Sequence, residues 1–114
     1  MKPLIRSDTV SVAYLLIKKL KRVGLKCKKR YISPSGSVYI VVFGRSEKHN
    51  QMIRVSNHHK NSRKLPKYNV LIGYSIREKI ITNSKKYYYS GRMLDLLVAD
   101  MFKKIKGERK DVNA

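Results

Sequence analysis

The chain of 114 residues carries 27 Lys and Arg against 7 Asp and Glu, a formal net charge of +20, and 42% of it is hydrophobic. The apolar share suffices for one small core and argues against global disorder, while the length leaves no room for two, so residues 1–114 are expected to form a single domain with 1–6 and 108–114 as flexible ends. No apolar run reaches the ~18–20 residues of a membrane span, and the lone Cys27 excludes an internal disulfide or a cysteine-based zinc site.

Residues 7–24 have the pattern of a helix. Ser7, Asp8 and Thr9 offer N-caps, Val12, Ala13, Leu16, Ile17, Leu20 and Val23 form one apolar stripe, and Gly24 suits the C-terminal position. At 25–32 the period changes to two, with Leu25, Cys27 and Tyr31 alternating with Lys26, Lys28 and Arg30, which predicts a strand with one cationic face. Ser33-Pro34-Ser35-Gly36 is a turn. Residues 37–43, β-branched and aromatic, predict a central strand, 44–50 a polar connection and 51–56 a third strand, which completes an antiparallel meander. Residues 57–64 have no period and are expected to be an exposed basic loop. A fourth strand is expected at 68–74 with Tyr68, Val70, Ile72 and Tyr74 on one face. Residues 75–90 suggest extended structure around an Asn83-Ser84 turn. Ser90 then caps a last helix whose stripe is Leu94, Leu97, Val98, Met101 and Ile105, and Gly107 is expected to stop it. The predicted class is α+β: an antiparallel sheet of three to five strands with the N- and C-terminal helices packed on one face, in the order α-β-β-β-(β)-α.

The charge is uneven. Between Thr9 and Arg77 sixteen Lys and Arg face a single acid, Glu47. A solubility surface interleaves the two signs, so this distribution points to a polyanionic partner. The expected phosphate contacts are Lys18, Lys21 and Arg22 on the outer helix face, Lys26, Lys28 and Arg30 on the first strand, Arg54 on the third, His58, His59, Lys60, Arg63 and Lys64 in the basic loop, and Lys85 and Lys86 near the second turn. Tyr31 is an expected base-stacking residue, and Tyr87, Tyr88 and Tyr89 fit either stacking or packing.

The order of a helix, three antiparallel strands and a closing helix resembles the double-stranded-RNA-binding domain and the HicA-type toxins, small ribonucleases. The local resemblance to the latter covers about residues 13–60: the helix ending Leu-Ile-Lys-Lys-Leu-Lys-Arg-Val-Gly24, a basic strand, the Ser35-Gly36-Ser37 turn and a third strand closing in His58-His59. The Ser-Gly-Ser-Val-Tyr-Ile and Ile-Arg-Val-Ser-Asn-His stretches are also similar to small phage proteins. The resemblance implies RNA affinity. In the toxins a histidine just after the Gly-Ser pair acts in RNA cleavage, and Val38 stands at that position here, so the catalytic residue is absent. Catalysis lacks other parts as well: the seven acids form no evident carboxylate cluster, and there is neither a P-loop nor a Cys-His pair.

The expected function is therefore non-enzymatic binding of nucleic acid through its phosphate backbone, with RNA slightly favoured over DNA. The alternatives are a phage- or mobile-element-type inhibitor docking on an acidic protein or a ribonucleoprotein, and a ribonuclease using His58 or His59. No cofactor, metal or membrane is implied. The Met1–Arg6 stretch lacks the apolar core and small-residue cleavage site of a signal peptide, so a cytoplasmic, reducing setting is expected.

Overall fold

The computed structural model describes the backbone of residues 6–58 and 64–113 and the side chains of 8–58 and 64–107. In chain order the elements are helix α1 (Arg6–Arg22), strands β1 (Cys27–Ile32), β2 (Val38–Val42), β3 (Gln51–Ser56), β4 (Tyr68–Leu71), β5 (Ile80–Ile81) and β6 (Tyr87–Ser90), and helix α2 (Leu94–Asn113). Short 3-10 turns at Glu47–His49 and Gly91–Met93 precede β3 and α2. The class is α+β, with the helices flanking a six-stranded sheet of order β1-β2-β3-β4-β6-β5. No helix among the described residues is long and apolar enough to cross a membrane.

Period-two burial decides which side chains the helices cover. Val38, Ile40, Val42, Ile53, Val55, Tyr68, Val70 and Tyr89 all point to one side, where they pack with Ala13, Leu16, Ile17 and Leu20 of α1 and Leu94, Leu97, Val98, Met101 and Ile105 of α2. Both helices therefore lie on the same face. Val23, expected in the α1 stripe, is 41% exposed, because it follows the last helical residue.

Two glycines that the sequence treats alike behave differently. Gly24 adopts φ +88 and its N–H bonds to Lys21 O at 3.0 Å, a left-handed C-terminal cap that ends α1. Gly107 does not take a positive φ, and α2 runs through it to Asn113. A glycine inside a helix costs about 1 kcal/mol relative to alanine, which weakens a helix without ending it when helix-forming residues and no proline follow.

The pairings β1–β2, β2–β3 and β5–β6 are antiparallel, and the meander over β1 to β3 has the expected bounds to within two residues. The pairings β3–β4 and β4–β6 are parallel, which the sequence reading did not foresee. Parallel neighbours need a crossover, usually a helix, yet the 57–67 connection shows no helix among its described residues. Its described ends fold onto the sheet face away from the helices: Arg54 Nη2 donates to His58 O at 3.3 Å, and Asn69 Nδ2 donates to Pro66 O at 2.8 Å. Strand β4 stops at Leu71, and after Gly73 (φ +84) the chain turns away, so Tyr74 is 43% exposed instead of continuing the row of Tyr68, Val70 and Ile72.

Candidate nucleic-acid interface

The exposed cations around the β1 edge come from two elements. At 3.6 residues per turn, Tyr14, Lys18, Lys21 and Arg22 share one flank of α1. Lys19 lies on the other flank, where its ammonium meets Asp95 of α2 at 2.8 Å. The Tyr14 flank thus faces away from α2 and toward the edge strand, and Lys29 of β1 places its ammonium 6.0 Å from the Tyr14 ring centroid.

A bulge between Lys29 and Tyr31 breaks the alternation expected of β1. Lys28 pairs with Val41 and Tyr31 with Tyr39, so Tyr31 lands on the same face as Lys28 and not on the face of Cys27. There Tyr31, 50% exposed, stacks on Tyr39 with ring centroids 4.6 Å apart and planes 11° from parallel. Lys28 lies 5.8 Å from the Phe43 ring centroid. At the end of the strand Lys26, Arg45 and Lys106 line a cleft of about 360 Å³ with Gly24 and Gly44. Among the described residues, none of Lys18, Lys21, Arg22, Lys26, Lys28, Lys29 and Arg30 pairs with a carboxylate; the ion pairs there are Lys19–Asp95 and Lys79–Asp100. The sequence reading missed Tyr14, Lys29, Arg45 and Lys106.

Other expected contacts are placed elsewhere. Lys85 and Lys86 lie in the β5–β6 turn at the far edge of the sheet, where Lys85 is exposed with φ +59 and Lys86 Nζ donates to Leu65 O at 2.7 Å. Lys64 is exposed beside the connection. His59, Lys60 and Arg63 lie outside the described residues. Tyr88 and Tyr89 are buried, and Tyr87 is half-buried and stacked on Tyr68 at 5.2 Å, so this run serves packing more than stacking of bases.

Arg54, expected on the basic surface, is 1% exposed and sits on the sheet face opposite the helices. It occupies the middle of a row running Tyr31, Tyr39, Arg54, Asn69, Tyr88 and Ile80 across all six strands. Its Nη2 donates to Ser56 Oγ at 3.0 Å and to His58 O, and it lies 3.3 Å from His58 Nε2. A guanidinium only donates, so His58 Nε2 is the acceptor and the proton of the neutral ring belongs on Nδ1, which faces Ser56 Oγ at 3.1 Å and Asn57 Oδ1 at 3.3 Å. With both ring nitrogens engaged inside the protein, His58 serves the fold and is not displayed toward a phosphate. His49 is held the same way, between Arg45 Nη2 at 3.2 Å and Ser46 Oγ at 2.6 Å.

Cys27, the one thiol, is buried and lies 3.8 Å from Ile17 O; burial pushes its pKa up, and nearby Lys21 only partly offsets this. Such a thiol packs as an apolar group and is a poor nucleophile. Among the described residues no group of three or more His, Cys, Asp or Glu comes together in a way that could hold a metal ion. In comparisons with known proteins, no family model, curated protein or solved structure matches this chain.

Proposed function

We propose that the protein binds nucleic acid through its phosphate backbone, without catalysing a reaction on it, and that RNA is favoured over DNA. The observation that carries this reading is the group of cations around the β1 edge, on the α1 flank and on β1, that meet no carboxylate among the described residues, with the exposed Tyr31 stacked on Tyr39 among them. Two elements present positive charge around one edge of the sheet, while the acids of the ion pairs seen among the described residues, Asp95 and Asp100, are both on α2. Such a surface reads charge and backbone shape more than base sequence. The preference for RNA rests on the resemblance of the α-β-β-β order to RNA-binding domains.

Titration of labelled RNA and DNA duplexes across a salt series tests the proposal. With about six phosphate contacts, log K falls against log salt with a slope of about −5. Replacing Lys18, Lys21, Lys28 and Arg30 together by Gln flattens that slope to about −2, since each lost contact removes about one unit. Binding that is undetectable at about 50 mM salt, or a slope that the fourfold variant leaves unchanged, overturns it.

A further inference from the structure

The parallel pairings bring the C-terminal ends of β3, β4 and β6 to one edge of the sheet, with Ser56, Leu71 and Ser90 in register. In open sheets with parallel strands, ligands settle beyond those ends. Here a cleft of about 630 Å³ lies beyond β4 and β6, lined by Ser75 and Arg77 from the segment after β4 and by Ser90, Gly91 and Arg92 from the entry to α2. No acidic residue lines it; Glu78, next to Arg77 in the chain, is not part of its wall.

Three independent features point to an anion. First, Arg77 and Arg92 are both exposed, and neither has an ion pair or hydrogen-bond partner among the described residues. Second, the cleft contains the start of the 3-10 turn that leads into the 20-residue α2, where backbone N–H groups and the helix dipole favour negative charge. Third, Ser90 holds the cap position but makes no side-chain cap hydrogen bond, so it supplies no acceptor to the first-turn N–H groups. Its hydroxyl, on a residue 96% buried, has no hydrogen-bond partner among the described residues. The wall of the cleft thus brings two guanidinium-bearing residues and a helix start without a side-chain cap to one place.

We infer that this cleft is a phosphate-binding site, in which Arg77 and Arg92 clamp the oxygens of a phosphate monoester while the Gly91 and Arg92 N–H groups donate from the helix start. Guanidinium groups match phosphate geometry with two donors each. The ligand is either a free phosphate compound or the terminal phosphate of a nucleic-acid strand. The site stands independently of the β1-edge interface.

The test is an NMR titration of the labelled protein with inorganic phosphate, at constant ionic strength set by chloride. Saturable shifts at the amides of Gly91, Arg92 and Met93 are expected. Arg77→Gln and Arg92→Gln each weaken binding roughly tenfold, the value of one charge-assisted contact. Gly91→Asp gives a second variant that does not depend on losing an arginine. A Cβ at Gly91 meets no atom within 4 Å, and a carboxylate there suits the helix start while repelling phosphate, so thermal stability is kept and phosphate binding is lost. Absence of a saturable shift at these amides, or unchanged affinity in the double-arginine and Gly91→Asp variants, overturns the site. Replacing Lys28 and Arg30 by Gln leaves the phosphate shifts intact, so failure of the β1-edge reading is separable from failure here. Duplexes with and without a 5′-phosphate then identify the source. Tighter binding of the phosphorylated end, lost in the arginine variants, assigns a strand terminus; equal binding of both duplexes with saturable binding of inorganic phosphate assigns a free phosphate compound.

Discussion

Ile53 and Arg54 are neighbours in β3, both essentially without solvent exposure, and they are buried by opposite means. Ile53 points under the two helices into a face built from Ile40, Val42, Val55, Val70 and Leu97, where any close-packed apolar group contributes. Arg54 points to the other face, where Ser56, Asn69 and Ser90 are also buried and each polar atom needs a specific partner. Among the described residues Arg54 Nη1, Asn69 Oδ1 and Ser90 Oγ have none. A buried polar group left unpaired costs about 1–3 kcal/mol, so this face carries a penalty that the helix-covered face does not. Its side chains make specific hydrogen bonds to the described ends of the 57–67 connection, at His58 and Pro66.

The largest expected effect comes from substituting the two neighbours. Ile53→Ala should cost about 2–5 kcal/mol in urea denaturation through lost transfer energy and the cavity left behind. Arg54→Met removes a buried charge that meets no carboxylate among the described residues but also strips His58 O and Nε2 of their donor, so the two terms partly cancel and the cost should stay below that of Ile53→Ala, at about 1–2 kcal/mol. Ser56 Oγ keeps its contact with Ser37 Oγ at 3.1 Å in that variant, so the face is not left open. If Arg54→Met were as damaging as Ile53→Ala, the two faces would be equivalent in energy and the comparison would fail.

The same contrast governs what could be read from the residues alone. Periodic apolar stripes announce the helix-covered face, and Leu16, Leu20, Leu97 and Met101 all lie where the period places them. Arg54 alternates with Ile53 and Val55 as any residue on a wet face does, and nothing local distinguishes a solvated arginine from a buried one. Arg54 is met by His58, at the start of the connection between β3 and β4, and that connection has no helical sequence pattern to announce a parallel pair. The candidate sites follow the same rule. Lys18, Lys21, Lys28 and Arg30 are visible as runs of charge. Arg77 and Arg92 stand 15 residues apart in the numbering and line one cleft because β4 and β6 are parallel, so their strand ends share one edge. Long-range register is absent from any local pattern, and both the buried polar face and the phosphate cleft depend on it.

A smaller effect sharpens the comparison from the apolar side, at a place where a polar atom reaches that core. Tyr89 has no exposed surface, and its hydroxyl donates to Asp100 Oδ2 at 2.7 Å, the same oxygen that Lys79 Nζ meets at 2.9 Å. Burial, reinforced by the hydrogen bond to Asp100, raises its pKa far above the ordinary 10.0. The folded state therefore keeps the proton where the unfolded chain releases it, and stability is full below the ordinary value and lost as pH rises from about 10 toward the folded-state pKa. Cys27, also raised by burial, adds a loss that begins nearer its ordinary 9.0. Tyr89→Phe should cost about 1 kcal/mol at neutral pH, the net value of one hydrogen bond, and should flatten the alkaline fall in thermal stability. An unchanged alkaline profile in that variant would assign the fall to Cys27 and the remaining tyrosines.

The smallest effect concerns the pair that ties the helices together. Lys19 and Asp95 meet at 2.8 Å, but the Asp95 side chain is 86% exposed, and surface pairs of this kind contribute about 0–1 kcal/mol. The two ends of the pair are nonetheless unequal. Asp95 lies in the first turn of α2, where the dipole favours an acid, and it is one of 7 acids in a chain of net charge +20, so Asp95→Asn raises that charge to +21. Lys19→Gln lowers it to +19 and relieves self-repulsion while losing the same contact. Asp95→Asn should therefore cost about 0.5–1 kcal/mol and Lys19→Gln close to nothing. Salt at about 1 M, where the Debye length shrinks to about 3 Å, should bring the two variants together. A persistent difference at that salt would show that Asp95 acts through local hydrogen bonding at the helix start and not through the field of the whole molecule.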